Sequence, residues 1–342
     1  MHDQVIPGHA FLLKVFLMAD KRGLHKNMKK EEFYFDSRDH KSQIHAVRWT
    51  PDSANVAGVV QIVHGMSEYV ERYEEFAAYL TERNFVVTGE DHLGHGKTVQ
   101  EGSTQGYFCE KDSATVVVRD VHRLKKKTQE LYPGVPYFIL GHSMGSFILR
   151  NYICRYGTGI DGAIIMGTGM LPSALLRLSK MIAAVVGAFR GQKHVSHFID
   201  KLAFGGYNKH IKEQRTSFDW LSRDEKKVDE YINDKDCGFI FTVNGFKTLF
   251  ELIMRANTFK NLLKVPKTLP VLIVSGEEDP VGDYGKGVQK VYQSLLDAEL
   301  TKVELNLYEG NRHELLNELD RKTIMTDLCS WLEKNLVIQE QI

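Results

Sequence analysis

Residues 137–156 read YFILGHSMGSFILRNYICRY, and this stretch decides the fold. YFIL is a short, continuous apolar run of strand length, and FILRNYI just beyond it carries a helical pattern. Between them Gly141-His142-Ser143-Met144-Gly145 fits G-x-S-x-G. Such a serine sits on a sharp strand-to-helix turn, where glycines relieve backbone crowding and the Oγ is held exposed. Ser143 is therefore the candidate nucleophile. Set against it is a glycine-rich turn with an incidental serine, which the flanking strand and helix disfavour.

Outward from this turn, strand and helix patterns alternate. On the N-terminal side, Phe33 to Phe35 and Ile44 to Thr50 form an opening strand pair, and GVVQIVH (Gly58 to His64) and FVVTG (Phe85 to Gly89) are buried strands. Helical faces fall at Tyr73, Phe76, Ala77 and Leu80, and at Val117, Val121, Leu124 and Leu131. On the C-terminal side come strand GAIIM (Gly162 to Met166), strand VLIVS (Val271 to Ser275), a helix over Gly287 to Leu296, strand VELNLY (Val303 to Tyr308), and a last helix with Ile324, Leu328, Trp331 and Leu332. Alternation of this kind predicts an α/β fold: a mostly parallel central sheet with helices on both faces. The stretch from Gly169 to Leu269 has no buried-strand run and is helix-like throughout, which predicts an inserted helical cap. The expected organisation is an N-terminal extension at 1–31, a core at 32–168 and 270–342, and a cap at 169–269.

Composition narrows the function classes. The 44 basic and 44 acidic residues cancel, so no global field attracts nucleic acid. The four cysteines are far apart and form no C-x-x-C pair, which disfavours a metal or redox framework and fits a reducing, cytoplasmic location. FLLKVFLMA near the N-terminus is too short to span a bilayer and lacks a secretory leader, and Met28-Lys29-Lys30 reads as an alternative start. Asp91-His92-Leu93-Gly94-His95-Gly96 is read as a glycine-rich turn after a strand rather than a metal site. Lys125-Lys126-Lys127 is expected on a solvated helix face.

A serine hydroxyl needs a base, and the base needs an orienting acid. His313 follows the last strand and precedes the last helix, alone in that position among 14 histidines. Asp279 follows strand VLIVS in the loop SGEEDPVGD, with Glu277, Glu278 and Asp283 as rivals. An oxyanion needs pre-aimed donors. The backbone N–H of Met144 and that of Met66, in the loop after GVVQIVH, are assigned to it, with His64 as a bracing turn residue.

Five motifs now stand in order: HGMSEYVERY (64–73), DHLGHG (91–96), GHSMGS (141–146), SGEEDPVG (275–282) and NRHELLNE (311–318). Together they resemble the monoacylglycerol lipase and lysophospholipase group of the α/β-hydrolases, over nearly the whole chain from Glu32 onward. The segment Trp220 to Phe239 also resembles the back of that group's cap. The resemblance implies a Ser143–Asp279–His313 triad, oxyanion donors at Met66 and Met144, and hydrolysis of single-acyl carboxylic esters through an acyl-serine, with no metal or organic cofactor. Departures at Ser146, Tyr69 and Lys97-Thr98 leave the triad untouched and weaken transfer of a specific substrate.

The cap's apolar start, LPSALLRLSKMIAAVVGAF, suits a greasy substrate tail. Leu171, Leu175, Leu178 and Ile182 are taken as acyl-contacting, with Leu176, Met181, Val185 and Val186 as further candidates; packing of the cap onto the core is the competing role. The same face fits transient contact with a lipid surface, peripheral at a membrane. Competing readings are a short-chain carboxylesterase, a proline-type aminopeptidase with Asp219, Asp224, Glu225 and Asp229 holding the substrate amine, and a ligand-binding protein on the same fold.

Overall fold

The computed structural model describes residues 28–337. Eight strands form one sheet: β1 (Met28–Asp36), β2 (Gln43–Pro51), β3 (Gly58–Val63), β4 (Phe85–Glu90), β5 (Tyr137–His142), β6 (Gly162–Met166), β7 (Val271–Gly276) and β8 (Val303–Tyr308). Their spatial order is β1-β2-β4-β3-β5-β6-β7-β8. β2 pairs antiparallel with both β1 and β4, and every other pair is parallel. The α/β class and mostly parallel sheet expected from the sequence are therefore present.

Among the described residues the α-helices are α1 (Glu74–Thr81), α2 (Ser113–Leu131), α3 (Met144–Tyr156), α4 (Ser173–Arg190), α5 (His197–Phe204), α6 (Glu225–Asn233), α7 (Val243–Ala256), α8 (Phe259–Leu262), α9 (Lys286–Asp297) and α10 (Arg321–Val337). The two-residue period of a strand divides the core between the faces. Tyr137 and Ile139 of β5 join a cluster with Val121, Leu124, Ile148, Phe246 and Val291. Phe138 and Leu140 join the opposite one, with Phe76, Leu80, Ile324, Leu328 and Trp331. Helices α2, α3, α7 and α9 thus cover one face, and α1 and α10 the other. Strands buried on both sides are apolar at nearly every position, which is why they read as near-continuous runs, and exceptions such as Gln61 and Thr88 are hydrogen-bonded.

The structure differs from the sequence reading at three places. β1 starts at Met28, whose partner is Pro51, ahead of the expected core boundary at Glu32. The stretch MKKEE is polar because β1 is an edge strand with most side chains exposed, so it carried no apolar signal. Residues 1–27, including FLLKVFLMA, lie outside the described residues. At the other boundary, α7 bridges the two parts: Phe246, Leu249, Leu252 and Ile253 are buried in a cluster shared with α2 and α3 and with Leu176 and Ala183 of α4. Finally, Lys125 is buried rather than solvated, and its Nζ donates to Gln129 and lies 5.5 Å from the Tyr137 ring centre. Its long stem buries while the head finds a polar partner.

Candidate active site

β5 runs into α3 through Ser143, whose backbone stands at φ 54°, ψ −120°. A non-glycine residue held there stores about 1–3 kcal/mol of strain. The flanking glycines show why the turn tolerates it. A Cβ on Gly145 would lie 1.9 Å from the Val63 carbonyl oxygen, and one on Gly141 would lie 2.4 Å from the Gly145 oxygen. The G-x-S-x-G spacing is thus a requirement of close backbone packing between β3, β5 and α3. Ser143 caps α3, where the first-turn N–H groups, Met144's included, have no intrahelical carbonyl to meet and carry the positive end of the helix dipole.

His313 lies after β8 and Asp279 after β7, and the sheet brings them together. His313 Nδ1 is 2.9 Å from Asp279 Oδ2, and both side chains are buried. Asp279 also accepts from the Val281 N–H at 2.8 Å and from Ser275 Oγ at 3.3 Å. Of the four acids in that loop, Asp279 is the one bonded to His313. With Nδ1 committed, His313 Nε2 is buried without a hydrogen-bond partner among the described residues. Ser143 and His313 line the same cavity, of about 570 Å³.

Sequence reasoning missed a charged network beneath this site. Glu68 accepts from the Gly65 N–H at 2.5 Å, from Tyr73 Oη at 2.9 Å and from Arg72 Nη1 at 2.7 Å, and it lies 3.2 Å from His142 Nδ1. Arg72 also grips Glu314 through two bonds of 2.8 Å. His142 Nε2 is 3.3 Å from the His313 carbonyl oxygen. Burial opposes charge on Glu68, but His142 and the Arg72 guanidinium outweigh it and hold its carboxyl well below the usual range. Burial likewise disfavours a charged His142, and the bond to Glu68 reverses this and raises its pKa. The network therefore clamps the loop carrying Met66 to the residue before Ser143 and to the backbone of His313. HGMSEYVERY and NRHELLNE contain these residues, but nothing in their spacing says that Glu68, Arg72 and Glu314 meet.

The cavity has a second wall made by the segment between β6 and β7. Phe204, Tyr207, Phe218, Trp220, Phe239 and Ile240 line it, with Leu249, Ile253 and Phe147 from the core side. Met66 and Met144 both line it. Of the four leucine and isoleucine residues taken as acyl-contacting, Leu171 alone lines the cavity. Leu175 and Leu178 are each 48% exposed, and Ile182 packs against the core cluster. Among the further candidates, Leu176 is buried, Met181 and Val185 face solvent, and Val186 packs inward. No residue of α4 lines the cavity, and the aromatic residues after α4, unmarked by periodicity, do the lining.

The aminopeptidase alternative loses its amine-holding carboxylates. Asp219 accepts from the Thr216 N–H at 2.9 Å, Asp224 caps α6, and Asp229 pairs with Arg215 at 2.6 Å, with Glu225 beside it. None of the four lines the cavity. The turn at 91–96 is also internally engaged: Asp91 accepts from the Val70 and Lys97 N–H groups and bonds His45 at 2.8 Å. His64 accepts from the His92 N–H at 3.0 Å through Nε2. His64 thus braces the loop, and burial keeps its pKa low.

The family model Hydrolase_4, described as serine aminopeptidase, S33, matches residues 54–320. The chain belongs to this family. Several individual relatives carry lipase or esterase names. A monoglyceride lipase homolog of monkeypox virus is 26% identical over 84% of this chain and 94% of its own. The monoglyceride lipase of Rattus norvegicus is 27% identical over 85% of this chain and 86% of its own. Among solved structures, a thermostable carboxyl esterase from Bacillus coagulans, in complex with glycerol, superposes with a TM-score of 0.84 at 30% identity, covering 90% of this chain and 99% of that one. The chain is a serine ester hydrolase of the α/β-hydrolase fold.

Proposed function

We propose that Ser143, His313 and Asp279 form the catalytic triad of an enzyme that hydrolyses single-acyl lipid esters of the monoacylglycerol or lysophospholipid type. The observation that carries this reading is one arrangement: a buried His313–Asp279 pair whose free Nε2 shares an apolar-walled cavity with Ser143. Asp279 holds the imidazole so that Nε2 faces the nucleophile. As Ser143 Oγ attacks the ester carbonyl carbon, Nε2 takes its proton, and the N–H groups of Met66 and Met144 receive the oxyanion. Collapse breaks the C–O bond of the leaving alcohol, which His313 protonates, leaving an acyl-serine. Water, deprotonated by His313, then releases the fatty acid and regenerates Ser143.

The aromatic wall suits one acyl chain, while Lys201, Asn208, Lys209 and Gln214 bring polar groups for the head. Four relatives are named monoglyceride lipases, which supports a monoacylglycerol-type substrate. The segment 169–242 acts as the cap in this reading. Its outer face carries Leu175, Leu178, Met181, Val185 and Phe189 along α4, the last 85% exposed, with Phe198 and Leu202 on α5. Arg177, Lys180 and Arg190 intersperse the stripe. An apolar helix face fringed with cations fits peripheral contact with a lipid surface. Among the described residues no helix is long and apolar enough to cross a membrane.

A fluorophosphonate probe followed by peptide mass spectrometry tests the nucleophile. Labelling at Ser143 is expected, and Ser143→Ala abolishes it together with about a thousandfold or more of ester turnover. Hydrolysis rates across acyl chains of increasing length, against an aminoacyl amide, test the substrate. Absence of labelling on folded protein overturns the triad, and preference for the amide or for acetyl esters overturns the lipid reading.

A further inference from the structure

A second pocket, of about 430 Å³, opens between α2, α3, α7 and α8 and shares no lining residue with the active-site cavity. Its walls carry Arg119 of α2, Arg155 of α3, Arg255 of α7 and Lys264 just past α8, with no carboxylate among the lining residues. In a chain whose 44 basic and 44 acidic residues cancel, four cations from four elements around one concavity is a local departure. We infer that this pocket is a binding site for a phosphate-bearing ligand.

The cations are largely unspent. Arg119 has no hydrogen-bond or ion-pair partner among the described residues. Arg155 touches the Tyr156 ring, its guanidinium carbon 5.5 Å from the ring centre, and Lys264 Nζ reaches Asn261 Oδ1 at 3.4 Å. Arg255 is the engaged member: its Nε donates to Glu251 and its Nη1 to Thr115 Oγ1, which leaves Nη2 and fixes the fork at the pocket wall. Arg119, Arg155 and Lys264 are exposed around the concavity and Arg255 is half-buried, so their heads are open to an incoming anion, and grouping charges of one sign in a cleft raises the local anion concentration.

The chemistry selects phosphate. Guanidinium forks match anionic oxygens bidentately, and three of them around one cavity match a tetrahedral group with several acceptor oxygens better than one planar carboxylate. The concave shape and the convergence from four elements differ from the extended basic stripe that tracks a nucleic-acid backbone. Ala114, Val118 and Cys154 supply a neutral floor for the group esterified to the phosphate; burial pushes the Cys154 thiol up to about 11, so it adds no competing charge.

Thermal unfolding of the full chain with glycerol 3-phosphate, against sodium chloride of equal ionic strength, tests the site. A second arm measures co-flotation with phosphatidylcholine vesicles containing or lacking phosphatidate. A saturable rise of about 5 °C at roughly a hundred times the Kd is expected with the phosphate ester and not with chloride. The double variant Arg119→Gln/Lys264→Gln weakens it about tenfold while hydrolysis of a soluble ester is unchanged. Phosphatidate-dependent flotation that the double variant abolishes, without a soluble response, also supports the site and assigns the phosphate to a lipid headgroup. No response in either arm, or one that survives the double variant, overturns the inference. Because the readouts are unfolding and flotation, they stand whether or not Ser143 is the nucleophile.

Discussion

The two walls of the active-site cavity are built by different forces. The core wall is a set of buried polar contacts: Glu68, Arg72, Glu314, His142 and the His313–Asp279 pair are each tied to two or more partners. The opposite wall is aromatic. Phe204, Tyr207 and Trp220 meet through ring contacts of 4.9–5.3 Å, and α4 of the same segment leaves an apolar stripe in solvent. Directional bonds hold atoms to a fraction of an ångström, which a reaction requires. Ring packing holds a shape while allowing sliding, which suits chains of varied length.

The largest loss of turnover among changes outside the proposed triad is expected at the core wall. Glu68→Gln removes the charge that binds the Gly65 N–H and His142, leaving Arg72 to Glu314 alone. Breaking one partner of a buried pair costs about 3–5 kcal/mol, and displacing the Met66 N–H, the proposed oxyanion donor, costs about a hundredfold in kcat. Steady-state kinetics with chemical denaturation measures both; a Glu68→Gln protein with wild-type kcat removes the clamp from the account.

A smaller effect is expected at the outer face of α4. Met181→Asp with Phe189→Asp leaves hydrolysis of a soluble short-chain ester unchanged and lowers the rate on ester presented in vesicles by about tenfold, or about 1.4 kcal/mol. That lies below the full-burial value of about 1.5–3 kcal/mol for one such side chain, because both enter a lipid surface only in part. Equal rates on both substrates, relative to wild type, would break the contrast between the walls.

The smallest effect on turnover comes from Asp120, away from both walls. Burial raises its pKa to about 7 against the bonds from Ser37 and the Arg38 N–H. The folded chain therefore keeps a proton that the unfolded chain, near 3.8, has lost. Stability from this group is complete below 3.8 and is lost as the pH rises through about 7, by about 1.4 kcal/mol for each pH step within that window. Asp120→Asn flattens the decline in melting temperature across the same window and leaves kcat unchanged at neutral pH. A melting temperature that declines as steeply in the variant would assign that pH dependence elsewhere.

Where the sequence was legible, a local rule was at work. Residues 137–156 announced strand, turn and helix because a strand buried on both faces is mostly apolar and because backbone crowding at Gly141 and Gly145 admits no side chain. His313 stood out by its place after the last strand, and Asp279 shared its loop with three other acids until the sheet set β7 beside β8. The cap was legible as helical but not as a surface, since an amphipathic helix such as α4 has the same periodicity whether its apolar side meets a cavity, a core or solvent.

The chain order of chemistry-bearing residues, the strand-helix alternation and the glycine-framed serine were thus determined by the sequence alone, because each is a property of neighbours along the backbone. Tertiary structure alone decided that Glu68, Arg72 and Glu314 form one buried network, the last two lying 242 positions apart. It alone decided that α7 packs on both α3 and α4, that aromatic residues after α4 line the cavity, and that four cations from four elements share a pocket. Those depend on which distant surfaces meet, and that is set by the packing free energy of the whole chain rather than by any window of it.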